Sequence, residues 1–204
     1  MSSTKRMACG VILLAALLPS ASAQYQGWQH SGSIYVLTTP EGADLPATAL
    51  EYDFPLLVRL HKGVFDFAQA KANGADIRFS AEGKPLAYQV EEWDAVKGTA
   101  SLWVRIPVIK GNARQEIKVH WGKAEAATES NGAAVFDASN GYLCVMHLGD
   151  PVDALKDEVG TLSPTNAGTT ASAGMIGPAR RFDVQKGING GEPSRRQFPN
   201  RRSP

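Results

Sequence analysis

Cysteine is nearly missing from this chain: two residues in 204, Cys9 and Cys144. If the N-terminal stretch holding Cys9 is removed, one thiol is left. No internal disulfide can then form, and packing alone must hold the fold. Cys144 lies in the apolar run Tyr142-Leu143-Cys144-Val145-Met146 and reads as a small buried hydrophobe. Histidine is sparse too. His30, His61, His120 and His147 form no His-x-His or His-x-x-x-His pair, which argues against a zinc site. There is no Gly-x-Ser-x-Gly elbow, and no phosphate loop or dinucleotide fingerprint follows a strand-like segment. Cys144 and His147 would face opposite ways on a strand, which spoils a thiol–imidazole pair. No amphipathic helix of three or more turns interrupts the patterned region, which argues against an α/β enzyme fold.

Long apolar runs are also scarce. The one from Met7 to Leu18 is too short to cross a bilayer as a helix. It follows Lys5 and Arg6 and precedes Pro19 and Ala21-Ser22-Ala23, the order of a secretory signal peptide. Residues 1–23 are therefore expected to be a leader cleaved before Gln24. The product would be secreted or periplasmic, with no membrane span after cleavage. Charge is unevenly placed. Gln24 to Ala179 holds 12 Lys and Arg against 18 Asp and Glu, whereas Arg180 to Pro204 holds seven basic residues against two acidic ones. An acidic body gives no reason to expect nucleic acid as a partner. The basic tail, 185–204, has no apolar pattern and is expected to be disordered.

What is present is a period of two. A lead-in over 24–49 contains one strand candidate, Ser33 to Leu37. Phe54 to Leu60 reads as a largely buried strand, with Pro55 at its start or on an edge. Ala68 to Gly74 suits one or two helical turns. Ile77 and Phe79 share a face, as do Leu86, Tyr88 and Val90. Leu102, Val104 and Ile106 share another, with Trp103 and Arg105 opposite, and Ile117, Val119 and Trp121 group together. Short alternating segments punctuated by Gly, Pro and Asn predict an all-β, antiparallel β-sandwich, jelly-roll-like in plan. Val135 and Phe136 look like an anchor returning to the core, and Tyr142 to Leu148 like a further strand.

Several segments resemble one family in order. They are Phe54 to Leu60 with Phe65 to Lys71, Gly74 to Phe79, Leu86 to Glu91 with Trp93-Asp94, Ala100 to Pro107, His120-Trp121-Gly122, and Ala134 to Asp137. Together they look like the domain of unknown function DUF2341, over residues 50–138. The resemblance implies an exported bacterial protein in which this domain precedes a concanavalin A-like, laminin-G-type jelly roll. Val145 to Leu148, Asp150 to Gly160 and Gly174 to Phe182 resemble the start of that second domain, so 139–184 is expected to be a partial, truncated copy.

Candidate binding residues are Trp93, Trp103, Arg105, Glu91 and Asp94. An aromatic ring beside carboxylates can form a sugar-binding ledge, although Trp93 packed over the sandwich explains the same residues. Glu91 with Asp94 as a glycosidase pair would need a cleft and a separation of about 5 Å or about 6.5–9.5 Å. No catalytic residue and no cofactor is assigned. Asp150, Asp153, Asp157 and Glu158 offer oxygens to calcium, a hard cation, but without a calcium-loop spacing; a solvated loop explains them as well. The leading expectation is a non-catalytic module of the envelope or exterior, binding a polysaccharide or an envelope protein. The alternatives are a glycan-active enzyme using the acids near Trp93, or a nonfunctional fragment. Expression of the whole chain in a bacterial host, followed by intact-mass measurement of the periplasmic fraction, should find a protein beginning at Gln24. Recovery only at full mass from the cytoplasm would contradict the leader.

Overall fold

The computed structural model describes residues 25–150 and 154–191. The expected leader, Asp153 and the tail beyond residue 191 lie outside them. The first seven strands are β1 (His30–Leu37), β2 (Leu50–His61), β3 (Arg78–Ala81), β4 (Lys84–Leu86), β5 (Tyr88–Asp94), β6 (Thr99–Lys110) and β7 (Arg114–Trp121). They form two antiparallel sheets, one in the order β1-β7-β3-β4 and one in the order β2-β6-β5. A single helical turn, α1 (Gly132–Val135), follows. Then come β8 (Thr165–Ala167), β9 (Thr170–Ala173), β10 (Pro178–Arg181) and β11 (Gly187–Asn189), which pair as β10-β9 and β11-β8. The architecture is a β-sandwich, and its strand orders do not trace a jelly roll.

The alternation that predicted the strands decides what lies between the sheets. Leu102, Val104, Ile77 and Phe79 are fully buried, and Ile106, Ile117, Val119, Val58 and Leu60 join them. Trp103 and Arg105 lie on the opposite face of β6 and are half-buried. Pro55 sits on β2, an edge strand, opposite Arg105. Because the Arg105 N–H turns the other way, to the carbonyl of Ala87, the Pro55 nitrogen faces the open edge, where no ladder bond is lost.

Four expectations need correction. Leu86, Tyr88 and Val90 do not share a strand: β4 ends at Leu86 in the four-stranded sheet, and β5 begins at Tyr88 in the other. The chain changes sheets across Ala87 alone. The period of two runs on through the switch because Leu86 and Tyr88 both enter the same core, at 7% and 3% exposure. Tyr142 to Leu148 forms no strand. Leu148 takes a positive φ of 63°, and the Val145 N–H is taken by the Asp157 side chain instead of a neighbouring strand. Within the tail expected to be disordered, Gly187–Asn189 is β11, paired with β8. The helical turns expected over Ala68 to Gly74 are a shorter 3₁₀ turn at Phe67–Gln69, capped by the Asp66 carboxylate.

The outer face of the four-stranded sheet is closed by a buried carboxylate. Asp76 is 1% exposed. Its Oδ1 accepts from the Lys71 N–H at 2.9 Å, and its Oδ2 from the N–H groups of Gly122 and Lys123 at 2.8 and 3.2 Å. Its carbonyl accepts the Trp28 indole N–H at 2.8 Å. Two residues on, buried Arg78 donates to the carbonyls of Ala75, Ile77 and Ala127 and to the Tyr88 hydroxyl, and pairs with Glu129. Removing the carboxylate strands three partly buried N–H groups. Asp76→Ala should therefore lower the unfolding free energy by about 3 kcal/mol or more, a large share of a small domain's stability. Urea titration checks this, and a loss below about 1 kcal/mol would mean that water replaces the carboxylate.

Candidate functional site

On β5 the ladder slips. Val90 pairs with Leu102 and Glu92 with Ser101, leaving Glu91 as the extra residue of a β-bulge. Gln89 faces outward beside its cross-strand partner Trp103. Beyond the bulge the parity is reversed, so Glu92 lies outside with Ser101, and Trp93, opposite Ala100, turns inward. Trp93 packs edge-on to Phe65 and Phe67, with ring centroids 5.8 and 5.1 Å away, and it lies over Gly74. A Cβ at Gly74 would come within 2.5 Å of the indole, and the φ of +66° there also favours glycine.

The bulge thus separates the residues singled out from the sequence. Trp93 and Trp103 lie on opposite faces of the sheet and form no common ledge. Asp94 is at the β5–β6 hairpin, where its carboxylate accepts the Lys97 N–H and pairs with the Lys97 ammonium at 2.9 Å. Those contacts, the backbone N–H first, hold its carboxyl below the usual range. Arg105 bridges Asp53 and Asp137 at 3.0 and 2.6 Å, tying β2 and β6 to the turn after α1. Trp121 is half-buried at the core's end, 4.8 Å from Phe65 and 5.6 Å from His30.

Glu91 and Trp103 do meet. The indole N–H of Trp103 donates to Glu91 Oε2 at 2.6 Å. His147 stacks on Trp103 with centroids 6.0 Å apart. Its Nδ1 lies 3.6 Å from the same carboxylate oxygen, and its Nε2 3.0 Å from Gln89 Oε1. Phe136, the predicted anchor, is 3% exposed and closes over Trp103 and His147. This cluster opens into a cleft of about 580 Å³ lined by Gln89 to Trp93, Ser130 to Gly132, His147, Gly149, Asp150, Lys156, Glu158 and Pro178. Glu158 is 5% exposed and pairs with Lys156 at 2.6 Å. Its carboxylate rests directly on Gly132, where a Cβ would fall 1.9 Å from Oε2. Four carboxylates, Glu91, Glu92, Asp150 and Glu158, therefore face one concavity with a single ammonium among them.

His147 and Glu158 were not assigned to this site from the sequence. They come from a segment with no regular structure, and the only available signal was the outward parity of Gln89 and Trp103, which required a cover. Asp157 is not free for a cation. Burial works against its charge, yet the N–H groups of Val145, Leu162 and Thr161 and the Thr161 hydroxyl hold its carboxyl below the usual range. Cys144, half-buried beside it, has its thiol pushed up by burial and by that carboxylate. Among the described residues no three His, Cys, Asp or Glu side chains come together as a metal set; Asp153, named with the calcium candidates, lies outside them.

Residues 73–142 match a protein family described as a domain of unknown function, DUF2341. The match begins after the Phe54 to Lys71 segments, and it gives no support to the lectin-like domain expected over 139–184. No curated protein and no solved structure matches the chain.

Asp137 provides a pH test of how α1 and its turn are held. Hydrogen bonds from the Ser139 side chain, Arg105 and the N–H groups of Ser139 and Asn140 lower its pKa to about 2. A depressed carboxyl contributes stability that is complete above its unfolded pKa, near 4, and is lost as pH falls towards 2. Asp137→Asn should flatten melting temperature against pH in that window relative to the parent. Parallel curves for the two proteins would contradict the assignment.

Proposed function

We propose that the cleft beside Trp103 is where this chain engages a carbohydrate, and that carboxylates rather than an aromatic ledge make the recognition. The observation carrying this is the convergence of Glu91, Glu92, Asp150 and Glu158 on one polar concavity. Carboxylates accept hydrogen bonds from paired sugar hydroxyls. An open aromatic platform is not what supports the reading, because Trp103 is covered by His147 and Phe136.

Two outcomes are compatible with such a cleft. Binding without turnover suits an exported module of the envelope, and the order of residues 5–23 supports export. Cleavage of a glycosidic bond is favoured by Glu91 and Glu158, two largely buried carboxylates on one cleft with His147 beside the first. The covered indole makes this second reading the better supported of the two. Val145 to Leu148 and Gly174 to Phe182 are read, in the same proposal, as the opening of a lectin-like domain.

Calorimetric titration with neutral and anionic oligosaccharides, paired with an assay for new reducing ends, separates the readings. A hydrolytic cleft predicts products, and loss of turnover by about 100-fold or more in Glu91→Gln or Glu158→Gln with binding retained. A binding module predicts affinity without products, weakened by the same changes. Neither affinity nor products across β- and α-linked oligomers would overturn the proposal.

A further inference from the structure

A second cleft, of about 720 Å³, lies on the other side of Glu92. It shares Glu92 and Pro178 with the first, so the two run together along the outer face of the β2-β6-β5 sheet. The ladder sets its floor. Arg59, Ser101 and Glu92 stand in one row across the three strands, and His61, Thr99 and Asp94 in the next. Residues 172–178 form the wall. The Ile176 carbonyl accepts the Ser101 hydroxyl at 3.1 Å, and the Met175 carbonyl lies 3.4 Å from an Arg59 Nη.

The charge of this half is opposite to that of its neighbour. Arg59, His61 and Lys97 line it, against Glu92 at the boundary and Asp94 at the end of the His61 row. Lys97 is paired with Asp94. Arg59 makes no ion pair among the described residues and spends one N–H on the long bond to Met175. The His61 Nδ1 accepts the Gly63 N–H at 3.1 Å, which leaves Nε2 as the nitrogen that carries a proton. A guanidinium with most of its fork unused, beside an imidazole N–H and the hydroxyl of Thr99, is a receptor for an oxyanion.

We infer that the glycan taken by this chain bears an anionic group, a carboxylate or a phosphate, seated on Arg59 and His61 while neighbouring sugar hydroxyls meet the carboxylates beyond Glu92. The inference rests on the glycan reading of the adjoining cleft and names its substrate class. A receptor of this kind rejects a ligand of the same shape without the charge.

Equilibrium dialysis of the full chain against oligogalacturonate, its methyl-esterified neutral form and a phosphorylated oligomannose tests it. Binding of at least one anionic oligomer about tenfold tighter than of the neutral ester is expected, with that preference abolished in Arg59→Gln and weakened by 0.5 M salt. Whichever oligomer is preferred identifies the group as carboxylate or phosphate. Equal binding of charged and neutral oligomers, or an anion preference that survives Arg59→Gln in a protein of unchanged melting temperature, overturns the inference but leaves the glycan cleft standing. No binding of any oligomer overturns both.

Discussion

Three backbone N–H groups converge on the carboxylate of Asp76, and the closure of the four-stranded sheet depends on it. Lys71 belongs to the turn after β2, and Gly122 and Lys123 to the exit from β7. The Asp76 carbonyl adds Trp28 from the lead-in. Without a disulfide, this acceptor binds three remote segments to one point, and Arg78 repeats the arrangement with opposite charge two residues later. Both sit on the face of β3 and its approach that points away from Ile77 and Phe79. The sandwich core and the polar clamp are thus opposite sides of one short run of sequence.

A single extra residue has a comparable influence on the candidate site. Without the bulge at Glu91, Trp93 would face outward, on the same side of the sheet as Trp103. With it, Trp93 joins Phe65 and Phe67 in the interior, and Glu91 and Glu92 both remain outside. The outer surface becomes carboxylate-rich and aromatic-poor, with its remaining indole occupied by Glu91, His147 and Phe136. The acidic half and the cationic half of the groove meet at Glu92, the first residue after the slip.

The sequence pattern was readable wherever each strand has one face in the core. Leu102, Val104 and Ile106 against Trp103 and Arg105, or Ile117 with Val119, could be assigned by counting in twos. Counting failed where the backbone, not the side-chain pattern, changes course. The crossover at Ala87 keeps its parity while changing sheets, so nothing in the alternation marks it. The bulge is equally silent, because Glu91-Glu92 reads as two polar residues in any register. Residues 142–148 are apolar enough for a strand, yet their backbone is bound by the Asp157 side chain, a contact twelve residues away that no local period reports. The site suffered most, since half of it comes from such irregular chain.

Pro55 has a consequence for how this molecule behaves among its own copies. The rim formed by β2 is long and carries Leu50, Tyr52 and Phe54, all substantially exposed, and such a rim invites another chain to add a strand. At Pro55 the nitrogen turned towards that visitor has no hydrogen, and the ring occupies the space where an approaching carbonyl would sit. A docking strand would have to interrupt its ladder there. The rim can remain apolar without seeding aggregation.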